Sequence, residues 1–281
     1  MALVVSTNLS SKLVRNSLNN ATSALNGAIE RMTTGYRINH AADNAANFSI
    51  ATNWRTQLGS IDVALTNANM GVDMLSTLEE NYNLITTHLQ RIRDLTEQAS
   101  NGTYGSASLA AIKSEINARL EEVDRISANT EFNGINLMSE DTTSISLQVG
   151  IRDGDTNKIA LGSDFMGAAN ASALLGKTKA AFATDATTTS TASAQLTILD
   201  NALKTVSGRV TSIGAAQNRL DSAIDSLNVH SQTLTSSLST IRDADVGNES
   251  SEYIRAQILQ QASATLLSTA NQAPSIALNL L

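Results

Sequence analysis

The chain holds three histidines, His40, His88 and His230, and no cysteine. A metal site needs several ligating side chains at short spacing, and neither a His-x-x-x-His step nor a His-Glu pair brings two ligands onto one helical face here. The three histidines therefore read as solvated surface residues. Serine and threonine are abundant, but no Gly-x-Ser-x-Gly turn raises one as a nucleophile, and no glycine-rich loop is spaced to cradle a phosphate. Asp153-Gly154-Asp155-Thr156-Asn157 offers oxygens at the first, third and fifth positions of a calcium-loop pattern. Lys158 then stands where that loop needs glycine, and Asp164 at the twelfth position is too short for bidentate ligation, so a hydrogen-bonded turn is the better reading. No catalytic residue, cofactor or metal is assigned.

Composition narrows the classes further. The 281 residues carry 19 Lys and Arg among 26 Asp and Glu, for a net charge of -7. Phosphate backbones and anionic membrane surfaces attract clustered cations, so no nucleic-acid partner is expected. The first residues lack a basic segment ahead of an apolar core, and no apolar run is long enough to span a bilayer, so neither a cleaved signal peptide nor membrane insertion is expected. Only 3% of the residues are aromatic, and the single proline is Pro274. Proline removes a backbone donor and breaks helix interiors, so its scarcity permits helices of unusual length.

The apolar spacing predicts those helices. Val14, Leu18, Ala21, Leu25, Ala28 and Met32 fall at alternating four and three steps, the seam of a coiled coil. Two of those six are alanine, which leaves the seam too thin to hold an isolated helix in water. A second series runs from Leu58 through Ile61, Leu65, Ala68, Val72 and Leu75, then slips one step to Leu78, Tyr82, Ile85, Leu89 and Ile92. After a turn at Gly102 to Gly105, Leu109 to Val123 marks a shorter antiparallel helix. Alternation at Ile145, Leu147, Val149 and Ile151, a turn at Asp153-Gly154, and Ile159 and Leu161 predict a β-hairpin over about 144–161. Residues 162–195, rich in Ala, Thr, Ser and Gly, read as a low-complexity linker with too little apolar surface to fold. From Leu199 to Ile241 strict four-three spacing holds over six heptads, a helix of about 65 Å at 1.5 Å per residue, with only Gln217 and Ser231 polar on the seam. A last amphipathic stretch carries Ile254, Ile258, Ala262, Leu266 and Ala270 before Pro274.

The expected fold is mostly α: a long antiparallel helical bundle or coiled coil with a small β-hairpin and with N- and C-terminal segments paired. The expected domains are a terminal coiled coil, residues 1–44 plus 240–281, and a helical bundle, residues 45–239. Val14, Leu18, Leu25, Met32, Ile254, Ile258 and Leu266 form the candidate assembly seam. The thin terminal stripes need burial by neighbouring copies, and a heterologous contact that does not close generates an open helical filament.

Several blocks carry a resemblance to a known family. Ala28-Ile29-Glu30-Arg31-Met32-Thr33-Thr34-Gly35-Tyr36-Arg37-Ile38-Asn39 and Asp43-Asn44-Ala45-Ala46 are followed by Leu89-Gln90-Arg91-Ile92-Arg93-Asp94-Leu95 and Phe132-Asn133-Gly134. Gln217-Asn218-Arg219-Leu220, Arg255 to Ala262 and Ala270-Asn271-Gln272-Ala273-Pro274 complete the set. In this order they resemble bacterial flagellin, in a short form with core domains only. The resemblance implies a non-enzymatic, extracellular subunit that polymerises with itself into the flagellar filament, after unfolded export through the flagellar type III system. It implies an export chaperone, a cap and hook-junction proteins as partners. It further implies that Gln90, Arg91, Leu95 and Glu115 contact the flagellin-sensing Toll-like receptor of animals, unless they serve subunit packing. A hook-filament junction protein is the alternative with similar ends. Where the family reads Asp-Asp-Ala-Ala-Gly, this chain has Asn44 and Asn47, and because asparagine tolerates glycine-like backbone angles only local adjustment is expected.

Overall fold

A computed structural model describes residues 7–142, 144–162 and 164–278, the last six for the backbone alone. Among the described residues, seven α-helices order the chain: α1 (Leu9–Thr34), α2 (Ala45–Ser100), α3 (Ser106–Asn129), α4 (Ala171–Leu175), α5 (Lys179–Ala186), α6 (Ala192–Arg242) and α7 (Val246–Leu278). Four short strands, β1 (Glu131–Phe132), β2 (Ile135–Asn136), β3 (Ile145–Gln148) and β4 (Lys158–Leu161), lie between α3 and α4. The chain is thus mostly helical, and its contacts gather into two compact units, Met1–Leu58 with Gln232–Leu281, and Gly59–Ser231.

In the first unit α1 lies antiparallel to α7. Asn8 caps α1 by accepting the Ser11 N–H at 2.9 Å, and Gly35, with φ of 73°, closes the helix by donating its N–H to the Arg31 carbonyl. That left-handed conformation is open to glycine at no steric cost. Asn44 accepts the N–H of Asn47 at 3.0 Å, satisfying a free donor in the first turn of α2. Asn47 is therefore helical and uses no glycine-like angle; among the described non-glycine residues only Asn133 has positive φ. The expected local adjustment is made by a cap instead.

In the second unit, α2 from Gly59, α3 and α6 up to Ser231 surround a core in which Leu75, Leu78, Tyr82, Ile85, Leu89, Ile92, Ile116, Leu120, Val206 and Leu220 are fully or almost fully buried. Along α6 the seam positions alternate buried and half-buried from Leu199 to Ile224, as four-three spacing requires. Gln217, polar on that seam, donates to Glu79 at 3.1 Å. The Tyr82 hydroxyl donates to the Phe165 carbonyl at 2.8 Å and accepts from Arg209 at 2.9 Å. Burial pushes this phenol above its ordinary pKa.

Strands β3 and β4 pair antiparallel from Ile145↔Leu161 to Gln148↔Lys158. The N–H groups of Val149 and Gly150 both donate to the Asn157 carbonyl, at 3.0 and 2.9 Å, which makes a β-bulge at the end of the ladder. A second ribbon, β1 with β2, turns through Asn133-Gly134 at φ of 49° and 78°. Asn-Gly is the dipeptide such a turn prefers, so the signal stood in the sequence although no second hairpin was expected.

Residues 162–195 depart from the linker expectation. They contain α4 and α5, and Phe165, Ala171, Leu175, Phe182, Ala183 and Ala186 enter the hydrophobic core. Asn170 caps α4, and Asp124 of α3 accepts the Ala171 N–H at 2.8 Å and pairs with Lys179 at 2.6 Å. The stretch lacks apolar surface for a core of its own, but small side chains suffice where a preformed helix supplies the opposite wall.

Candidate functional site

The antiparallel pair of α1 and α7 is built from small and polar side chains. On α1 the buried positions are Ala21 and Ala28; on α7 they are Ala256 and Ser263. Around them Glu249, Tyr253, Gln260, Leu267 and Ala270 are half-buried, completing a four-three series along α7. Polar bonds tie the series to α1. Arg31 pairs with Glu249 at 2.9 Å, Gln260 donates to Thr22 at 3.3 Å, and Ser11 donates to Asn271 at 2.8 Å. At the base of the pair the Arg37 N–H donates to the Arg242 carbonyl at 2.7 Å, the Ala244 N–H donates to the Gly35 carbonyl at 2.9 Å, and the Arg242 guanidinium lies 4.1 Å from the centre of the Tyr36 ring. The loop after α1 is fixed by Asp43, whose carboxylate accepts the N–H groups of Asn39 and His40. Those two bonds hold its pKa below the ordinary carboxylate value.

The seam residues divide between faces. Val14, Leu18 and Leu25 are half-buried beside the α1 alanines, and Met32 remains 38% exposed. Ile254, Ile258 and Leu266 lie away from the α1-facing series and are more than half exposed, as is Leu259. Spacing by apolar type selected the uncovered stripe of α7, because the centre of the stripe that meets α1, Ala256, Gln260 and Ser263, is small or polar. Leu9, Leu13 and Ile29 add exposed apolar surface on α1. Fully burying one such side chain contributes about 1.5–3 kcal/mol, so covering four half-exposed ones is comparable with the marginal stability of a domain. Contiguous exposed stripes of this kind mark interaction surfaces.

The second candidate cluster lies on α2 and α3. Arg91 and Glu115 form an ion pair at 3.1 Å, and Arg119 joins the same carboxylate at 3.1 Å. Those two guanidinium groups, Arg119 foremost, lower the Glu115 pKa. Gln90 is exposed beside them. Leu95 is not part of this surface: it is 2% exposed and belongs to the core, so its side chain offers no face to a partner. Reading Leu95 from a motif missed the helical period, which turns it inward with Ile92 and Ala99. His88, also between α2 and α3, is half-buried with Nδ1 unpartnered, and burial lowers its pKa.

Among the described residues, no group of His, Asp and Glu is assembled for a metal ion, and no helix is long and apolar enough to cross a membrane.

Comparison with known proteins gives two family matches, the bacterial flagellin N-terminal helical region over residues 5–143 and the bacterial flagellin C-terminal helical region over residues 196–281. A flagellin of Xenorhabdus nematophila is 37% identical and covers 100% of both chains. A flagellin of Halalkalibacterium halodurans is 34% identical over 90% of each. A phase 1 flagellin of Salmonella naestved is 44% identical over 57% of this chain and 32% of its own length. The crystal structure of Bacillus cereus flagellin covers 58% of this chain and 88% of that one, with 22% identity and a TM-score of 0.48.

Proposed function

Because the chain belongs to the bacterial flagellin family, we propose that its terminal helix pair is the assembly domain and that the exposed stripe of α7 packs against neighbouring copies. Family membership makes the chain a structural subunit of the extracellular flagellar filament, which polymerises with itself and is not an enzyme. The finer assignment gives residues 1–44 and 240–281 the contacts between subunits, and residues 45–239 the body of each subunit; residues 1–6 and 279–281 lie outside the described structure. One observation carries it: Ile254, Ile258, Leu259 and Leu266 stay exposed although α7 already has a partner in α1. Val14, Leu18, Leu25 and Met32 then serve both pairing with α7 and contact with the next subunit.

Export proceeds through the flagellar type III system, with a chaperone on the uncovered α7 stripe until polymerisation, and with cap and hook-junction proteins at the filament ends. Exposed Gln90 and Arg91, with half-buried Glu115, form the receptor-contact surface for the animal Toll-like receptor, and the same residues pack between subunits. A hook-filament junction role is the competing assignment. It predicts few copies in sheared filaments, whereas a filament subunit is the bulk of the mass.

The decisive experiment removes residues 1–32 and, separately, residues 254–281, then follows seeded polymerisation by electron microscopy. Each truncated chain should keep its bundle by circular dichroism and add nothing to seeds. Normal filaments from either truncation would overturn the assembly assignment. For the receptor surface, Arg91→Ala should reduce binding of monomer to receptor ectodomain by roughly tenfold, the effect of about 1.4 kcal/mol. Unchanged binding would remove Arg91 from that role.

A further inference from the structure

Three Asn-Gly steps occur in the chain, at Asn26-Gly27, Asn101-Gly102 and Asn133-Gly134, and they sit in different backbone settings. Asn26 and Gly27 lie within α1, where helical geometry commits the backbone nitrogen to the ladder. Asn133 and Gly134 form the turn between β1 and β2 and are locked at φ of 49° and 78° by the pairing of Phe132 with Ile135. Asn101 and Gly102 lie in the exposed turn between α2 and α3. Asn101 Oδ1 accepts the Thr103 N–H at 3.2 Å, curling the side-chain amide over the intervening Gly102 nitrogen. Apart from its two chain neighbours, nothing lies within 4 Å of a Cβ built on Gly102, so no other part of the chain crowds this exposed turn. No backbone hydrogen bond engages the Gly102 N–H, and the Asn101 carbonyl accepts only a long bond from Tyr104, at 3.4 Å.

We infer that Asn101-Gly102 is a self-modification site at which the folded protein cyclises and deamidates. The Gly102 nitrogen, losing its proton to solvent base, forms a bond to Cγ of Asn101. The Thr103 N–H donates to the oxygen that gains negative charge, solvent returns a proton to Nδ2, and the Cγ–Nδ2 bond breaks with release of ammonia. Water then opens the cyclic imide at either carbonyl, leaving aspartate or isoaspartate at position 101. The step needs no oxidant, reductant or cofactor. Its product places a carboxylate at the C-terminal end of α2, where the helix dipole disfavours negative charge, and one turn after Glu97. Isoaspartate also lengthens the backbone in the turn that joins α2 to α3.

The test is peptide mapping by mass spectrometry of the full-length protein, incubated at mildly alkaline pH in buffer and in denaturant. Each site's rate in buffer is compared with its own rate in denaturant. Asn101 should convert at nearly its unfolded rate, while Asn26 and Asn133 slow by roughly tenfold or more because each must open locally first. Gly102→Ala should suppress conversion at Asn101 without changing the helical circular dichroism, and conversion should slow as the pH is lowered. Protection of Asn101 on folding as great as that of Asn26 and Asn133 would overturn the inference, as would conversion undiminished by Gly102→Ala.

Discussion

Asn8 shows how one residue can join two helices. Its side-chain oxygen caps α1, and its Nδ2 donates to the Ala270 carbonyl at 2.7 Å. Within α7 that carbonyl would ordinarily accept the N–H of residue 274, but Pro274 has none. A vacancy in one helix thus receives the capping residue of the other, a relation that spacing alone does not reveal because it spans the length of the chain. Asn8→Ala should cost about 1–2 kcal/mol for the lost cap, with a further loss from the orphaned carbonyl. Pro274→Ala restores the helical donor, so Asn8→Ala should cost less in that background. Amide hydrogen exchange at Ser11 and Lys12 reads the effect; equal costs in both backgrounds would show that the two positions are independent. A second contact sets the turn after β3. A Cβ added to Gly150 would lie 2.5 Å from Cβ of Asn157. Because that atom is at the root of its side chain and cannot swing away, Gly150→Ala should destabilise the bundle by about 1–3 kcal/mol in urea titration. Gly162→Ala, with nothing within 4 Å of the new atom, should change stability by less.

At the scale of elements, long helices were legible wherever burial is apolar. The α6 seam is buried or half-buried at the positions its spacing names, because aliphatic side chains at four-three steps have a single way to leave water. Reading failed where burial is achieved by small or polar residues. Ala256, Gln260 and Ser263 face α1 without any hydrophobic signal, and residues 162–195 pack through alanines and two phenylalanines on a wall supplied by other helices. Leu95, grouped by the resemblance with Gln90, Arg91 and Glu115, turns inward, and only helical phase reveals that. The packing of α2 on α3 also carries a pH dependence. Desolvation, with Arg119 and Arg125 nearby and only Glu122 opposing them, lowers the His88 pKa below its unfolded value of 6.5. The unfolded chain therefore takes up a proton that the folded chain resists, so this contribution is intact above about pH 6.5 and is lost as the pH falls toward the lowered folded value. His88→Gln should flatten the fall in urea midpoint between neutral and mildly acidic pH. An unchanged slope would assign the acid sensitivity to other groups.

For the whole molecule, the distribution of charge decides how its assembly should respond to solution conditions. The net charge is -7, yet no ionisable side chain occurs from Asn16 to Ile29 or from Ala256 to Leu281. Among the described residues, the charged contacts of the terminal helices lie toward one end, at Arg31 with Glu249, Arg255 with Glu252, and Glu30 with the His40 imidazole. Contact between copies through Ile254, Ile258, Leu259 and Leu266 is therefore apolar, while the charges outside it repel. Ion-pair assembly would weaken steadily as the screening length falls from ~10 Å at 0.1 M salt to ~3 Å at 1 M. Apolar assembly against net repulsion does the reverse: seeded elongation should be slowest at very low ionic strength, rise until the repulsion is screened, and gain again with sulfate, which strengthens apolar burial. Ile258→Ser should lower elongation under all of these conditions while leaving the salt profile in place, and light scattering from seeded solutions measures both. Elongation that declines from low to high sodium chloride would show that charge pairs, not the α7 stripe, hold the copies together.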